Sequence, residues 1–143
     1  RYRHGCELLT SIPGVGVNVA MTLLTEIGDI NRFHNEKEFA SYLGLVPTSH
    51  SSGGKVAHGE KTFRGNKYLG PQIVEASWVS IYRDRGLGCA YTNYKKRMKP
   101  QEAIVRVARK LSNIIFSVLK TGQKYKPYEW DEQQKHTDLQ ATS

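Results

Sequence analysis

The chain has 143 residues, 38% of them hydrophobic, which limits it to one domain or two small ones around a modest core. Its apolar runs fall short of the ~18–20 residues that cross a bilayer, so no membrane-spanning segment is expected, and no n-region/h-region pattern is read at its start. A formal charge of +8 and a pI near 9.6 favour a polyanionic partner, nucleic acid ahead of an acidic membrane surface.

Cys6 and Cys89 have no CxxC spacing, so reduced thiols in a cytoplasmic protein are expected. The five histidines form no HxxxH or paired Cys/His pattern, and no metal site is expected in this chain. Arg1, in place of Met, is read as the start of a piece of a longer protein.

The first twelve residues combine a basic arm with a brief helix from Glu7 to Ile12. Ile12-Pro13-Gly14-Val15-Gly16 follows, then a helix from Val17 to Ile27 with Ala20, Leu23, Leu24 and Ile27 at i, i+3, i+4 spacing. Gly28-Asp29 stops it. This is the pattern of a helix-hairpin-helix unit, in which Gly14 and Gly16 let backbone amides at a helix start approach a phosphate. An ordinary helical hairpin has the same signature. A dinucleotide fingerprint is rejected, because GVGVNV lacks the third glycine of GxGxxG and no strand precedes it.

Asn31 to Tyr42 reads as a turn and a second helix, with Asn35 as N-cap, Glu38 as its capping-box partner and Gly44 as the left-handed terminator. From Gly44 to Leu69 no helical or strand period is evident, while Ser51, Ser52, Gly53, Gly54, Lys55, Lys61, Arg64 and Lys67 concentrate there. A long loop between firm helices is expected to carry function. SSGGK is no P-loop, since Val56 stands where Ser or Thr is needed. What remains is a serine pair, a backbone able to form an anion nest, and a lysine, an arrangement that suits hydroxyl attack on a phosphodiester. A plain polar turn fits the same residues.

The helical period returns from Asn66 to Tyr82, with Leu69, Ile73, Val74, Trp78 and Ile81 on one side. Pro71 is tolerated if that helix starts near Lys67 or Tyr68. Arg83 to Gly86 is expected to close it, and Cys89 to Met98 to form a short helix carrying Tyr91 and Tyr94. Pro100 begins the last long helix, Gln101 to Lys120, with Ala103, Ile104, Val107, Leu111, Ile114, Ile115, Val118 and Leu119 facing the core and Gly122 ending it. Between Arg83 and Lys110 nine basic residues face two acidic ones, so the charge gathers beside or after the loop. Arg106 and Lys110 are the helix positions taken as phosphate contacts. The tail from Asp131 is polar and is expected to fray.

These readings give a mainly α fold: a helix-hairpin-helix unit over residues 1–43, a functional loop with basic helices over 44–125, and a polar tail over 126–143. From the residues alone, the favoured function is a non-catalytic DNA-binding module.

The ordered motifs IPGVG, EIGD, FASYLGLVP, SSGGK, RGNKYL and KP..AI.RVARKL, closing on Gly122 and Tyr125, resemble the C-terminal domain of IS110/IS1111-family transposases over Leu8 to Tyr125. The resemblance implies a DNA transposase that acts as a homo-oligomer in the bacterial cytoplasm, associated with the nucleoid and guided by a structured RNA. It implies a serine nucleophile that maps onto Ser52, with Ser51 as the fallback. It also implies a RuvC-like domain with four carboxylates holding divalent metal, Mg²⁺ being expected. No such constellation is legible in these residues, so this chain is expected to have no cofactor of its own and to be inactive without that domain. Gly70-Pro71 departs from the arginine or other long residue usual after RGNKYL, which puts one phosphate contact in doubt.

Overall fold

A computed structural model describes residues 2–45 and 68–126. These form helices α1 (Arg3–Thr10), α2 (Val17–Ile27), α3 (Glu36–Tyr42), α4 (Leu69–Arg83), α5 (Arg85–Lys95) and α6 (Pro100–Thr121), with a 3₁₀ turn at Ile30–Arg32. Among the described residues there is no strand, and the mainly α expectation holds. None of these helices is long and apolar enough to cross a membrane.

α6 is the axis of the fold. It packs against α1, α3, α4, α5 and the 3₁₀ turn. Its apolar residues recur every three or four positions, so Ala103, Val107, Leu111 and Ile115 are fully buried along one stripe. Pro100 starts it at a position where a missing N–H breaks no intrahelical bond, and Gly122 at φ 70° ends it in the left-handed conformation. α2 runs between the same limits read from sequence, Val17 and Ile27, because Gly16 enters it extended and Gly28 leaves it at φ 72°. One hydrophobic core joins Leu9 and Ile12 near α1, Leu23 of α2, Phe39 of α3, Ile73 of α4, Leu87 of α5 and the α6 stripe.

Two helix starts and one cap differ from the sequence reading. α1 starts at Arg3, four residues earlier than expected, because its basic residues form an exposed face while Leu8 and Leu9 bury the other. The segment Arg83–Gly86 closes α4 at Arg83, as expected, but the break is a single residue long. Asp84 alone is extended, and its carboxylate accepts a hydrogen bond from Leu87 N at 2.9 Å, so α5 begins at Arg85 rather than Cys89. At α3, Asn35 Oδ1 accepts from Glu38 N at 2.9 Å as a cap should, but Glu38 Oε1 reaches past Asn35 to His34 N.

Candidate nucleic-acid interface

The residues on either side of segment 46–67 are firmly seated. Leu43 and Leu45 are buried, and Leu45 N donates to Ala40 O at 2.9 Å. On the far side Leu69 is fully buried in the first turn of α4. Gly70 closes the gap between the two ends: a Cβ there would overlap the Leu43 carbonyl oxygen. A longer side chain at position 70 would push the two ends apart, which gives the departure from the RGNKYL pattern a packing reason. Pro71 sits at the third position of α4, where its missing N–H costs no helical bond.

Two grooves meet at Leu45. One, about 780 Å³, is lined by Gly70, Pro71, Val74, Trp78 and Val105. The other, about 650 Å³, runs from Val105 past Tyr94 and Met98 to Arg106, Arg109 and Lys110. Glu102, Arg106, Arg109 and Asn113 recur at helical spacing on the face of α6 that turns away from its buried stripe. Three cations against the single carboxylate of Glu102 make this groove electropositive. Arg106 and Arg109 form no ion pair among the described residues. Arg109 Nε and Asn113 Oδ1 are buried and have no hydrogen-bond partner among the described residues, a costly state for a guanidinium donor and an amide acceptor.

The hairpin between α1 and α2 uses its two glycines differently. Gly14, at φ 95°, lies against α4, where a Cβ would overlap Ser80 Oγ. Ser80, fully buried, donates to Pro13 O at 2.6 Å and shares its hydrogen with Ala76 O at 3.0 Å. Gly14 therefore has a structural reason to be glycine, independent of any ligand. Gly16 is exposed at the start of α2 with open space where a side chain would stand, and no side chain caps that helix.

Of the residues singled out from sequence, Arg106 and Lys110 share the α6 groove, and Gly14 and Gly16 lie in the hairpin on α4. Ser51, Ser52, Gly53, Gly54, Lys55, Lys61, Arg64 and Lys67 lie outside the described residues, as does the tail from 127. Sequence reasoning passes over Arg109, Asn113 and Tyr94 as site residues. The polar row opposite the apolar stripe of α6 is the available signal for the first two. Trp78 fits a core position by its spacing but is 38% exposed. Among the described residues no three His, Cys, Asp or Glu side chains stand close enough together to hold a metal ion.

A profile described as the transposase IS116/IS110/IS902 family matches residues 6–92. A 43.6 kDa protein of insertion element IS110 from Streptomyces coelicolor is 36% identical over 120 residues, covering 82% of this chain and 29% of that protein. The transposase for insertion sequence element IS1111A of Coxiella burnetii is 29% identical over 125 residues, covering 85% of this chain and 34% of its own length. A pilin gene-inverting protein of Moraxella bovis is 30% identical over 129 residues, covering 85% of this chain and 39% of its own. The chain thus spans little more than a third, at most, of the curated relatives named here.

Proposed function

Because the chain belongs to the IS116/IS110/IS902 transposase family, we propose that it is the part of such a transposase that grips DNA and supplies a serine nucleophile for strand cleavage and rejoining. The observation that carries this reading is the placement of Leu45. The chain enters segment 46–67, which bears Ser51 and Ser52, from the wall of the groove that gathers Arg106, Arg109 and Lys110. Relatives named as a transposase and as a gene-inverting protein both rearrange DNA, which supports the same substrate.

In the proposed reaction the Ser52 hydroxyl attacks a backbone phosphorus. One phosphorus–oxygen bond forms to serine and one breaks to a leaving strand hydroxyl, while the serine proton passes to a base and a proton returns to the leaving oxygen. Attack by another strand's hydroxyl on the phosphoserine reverses the step and rejoins DNA, so bond energy is conserved. Lys55, Lys61, Arg64 and Lys67 are assigned to the negative charge that develops on the phosphorane, with Gly53 and Gly54 giving the phosphate room. His50 and His58 are weaker base candidates. Divalent-metal chemistry is assigned to a RuvC-like domain and not to these residues. A guide RNA and a homo-oligomer complete the proposed assembly.

The test is Ser52→Ala in the full-length transposase. Strand cleavage and covalent protein–DNA adducts should both vanish while DNA binding stays near normal. Adducts that persist in Ser52→Ala but vanish in Ser51→Ala would move the nucleophile to Ser51. Adducts that survive both substitutions, or are absent from the unaltered protein under cleaving conditions, would overturn the serine mechanism and leave a non-catalytic DNA-binding module.

A further inference from the structure

Trp78 is an exposed indole held in a fixed place. Its ring meets Tyr91 edge-on at 5.7 Å between centroids and 75° between planes, and Lys95 Nζ lies 5.2 Å from the centre of the Tyr91 ring. The contact joins α4 to α5, so the indole is positioned by two helices. It nevertheless keeps 38% of its surface exposed, in the wall of the apolar groove of about 780 Å³ that Leu45 and Val105 also line. Val105 and Leu45 also wall the second groove, so the apolar surface at Trp78 continues into the basic one at Arg106 and Arg109.

We propose that these joined grooves bind an unpaired stretch of DNA, with a base stacked on Trp78 and the adjoining phosphates on Arg106 and Arg109. This rests on the DNA-cleaving reading above and names the form of DNA held beside the serine segment.

Three features favour that occupant. A flat aromatic face lining an apolar groove suits a ring with an exposed π surface, and a base inside a duplex has none to offer. The buried, unpartnered Nε of Arg109 is a donor left for an acceptor such as a phosphate oxygen. The acidic lining residues place the ligand's charge: Glu75 stands on the Trp78 side and Glu102 faces two arginines and Lys110 on the other, so phosphate is favoured at the α6 end. Stacking tolerates any base, so the site reads strandedness and not sequence.

The intact chain would be titrated with oligothymidine of about ten nucleotides, a length within the range such sites cover, and with a duplex of the same length. Trp130→Phe leaves Trp78 as the one indole, and its fluorescence should be quenched by the single strand. Trp78→Leu keeps apolar volume without the π face and should weaken oligothymidine binding on the order of tenfold, while Trp78→Phe stays within about twofold. Duplex affinity should be unchanged by either. Arg106→Gln and Arg109→Gln should each flatten the salt dependence of single-strand binding, by a slope of about 0.7 for each phosphate no longer neutralised. The inference is overturned if Trp78→Leu leaves single-strand binding intact, or weakens duplex and single strand alike with circular dichroism unchanged. Tighter binding of oligouridine than oligothymidine would overturn the assignment to DNA in favour of RNA. A chain that binds neither duplex nor single strand would remove the DNA-gripping role itself, whereas duplex binding indifferent to Trp78 and single-strand binding equally indifferent would remove only this inference.

Discussion

The Tyr125 hydroxyl donates to Asp84 Oδ1 across 2.7 Å, tying the segment after α6 to the corner between α4 and α5. The backbone N–H of Tyr125 is held by Ser11 Oγ at 2.9 Å, and Ser11 in turn donates to Leu8 O at 2.6 Å. Asp84 is 2% exposed, and its second oxygen caps α5 through Leu87 N. One buried carboxylate thus starts a helix and anchors a distant strap, and a single tyrosine links the two ends of the fold.

Tyr125→Phe keeps the ring and removes the donor, so unfolding in urea should show a loss of about 1–2 kcal/mol. Asp84→Ala removes the cap as well and should cost about 2–3 kcal/mol. Once Asp84→Ala is in place, Tyr125→Phe should add less than about 0.5 kcal/mol, because the two changes delete the same bond. Fully additive losses would show that the hydroxyl–carboxylate pair contributes nothing of its own.

Gly70→Ala should destabilise the chain by about 1–3 kcal/mol, since its methyl meets the Leu43 carbonyl, a backbone atom with no side-chain rotation to relieve it. The effect should extend beyond stability. Leu43 and Gly70 bracket segment 46–67, so hydrogen exchange at Leu43 and Leu45 should quicken more than at the α6 core. Gly14→Ala adds an unfavourable φ to its overlap with Ser80 and should be the more damaging of the two. Equal thermal midpoints for Gly70→Ala and the unaltered chain would contradict the close approach at Leu43.

Most of this scaffold was legible from apolar periodicity and end signals. The Val17 and Ile27 limits of α2 followed from the glycines beside them, and the α6 stripe from spacing alone. The start of α5 was not legible from periodicity, because Arg83 to Gly86 reads as a helix stop and the next helix reads as starting at Cys89. Gly88 is tolerated for a tertiary reason: a Cβ there would crowd the Ile81 carbonyl at 2.6 Å, so α4 and α5 approach closely at that point. The site was legible only in parts. Arg106 and Lys110 are visible as charges on a helix, but their proximity to Leu45 depends on how α3 packs on α6, which no local pattern encodes. Trp78 fits an apolar helical stripe, and only the packing of its neighbours shows that its ring stays partly outside.

Acid should act on a local contact at the start of α3. The His34 backbone N–H, 2.9 Å from Glu38 Oε1, and then the His34 ring hold the Glu38 carboxyl below its ordinary pKa. A carboxyl whose folded pKa is depressed contributes stability above its unfolded pKa and loses that contribution as pH falls through the folded value. The pair faces solvent, so the consequence is a local fraying of α3 in acid and not global unfolding. Carbon-detected NMR titration should place the Glu38 midpoint below the ordinary glutamate value. His34→Ala should raise it only part of the way, because the backbone donor remains. A full return to the ordinary value would assign the whole effect to the ring.

The N-terminus of α2 offers a substitution that separates folding from binding. Gly16 has φ −89° and ψ 177°, a conformation open to any residue, and nothing lies within 4 Å of a Cβ placed there. Aspartate at that position would accept hydrogen bonds from the uncapped amides of the first turn and favour the helix dipole, so Gly16→Asp should stabilise the chain by about 0.3–1 kcal/mol. The same carboxylate would occupy the place proposed for a DNA phosphate. Duplex affinity should therefore fall, on the order of fivefold at ~0.1 M salt, while the melting temperature rises. Gly16→Ala serves as the neutral comparison and should keep its affinity. If Gly16→Asp gains stability and binds duplex as tightly as the unaltered chain, the α2 terminus does not meet DNA, and the interface is confined to the α6 groove and the serine segment.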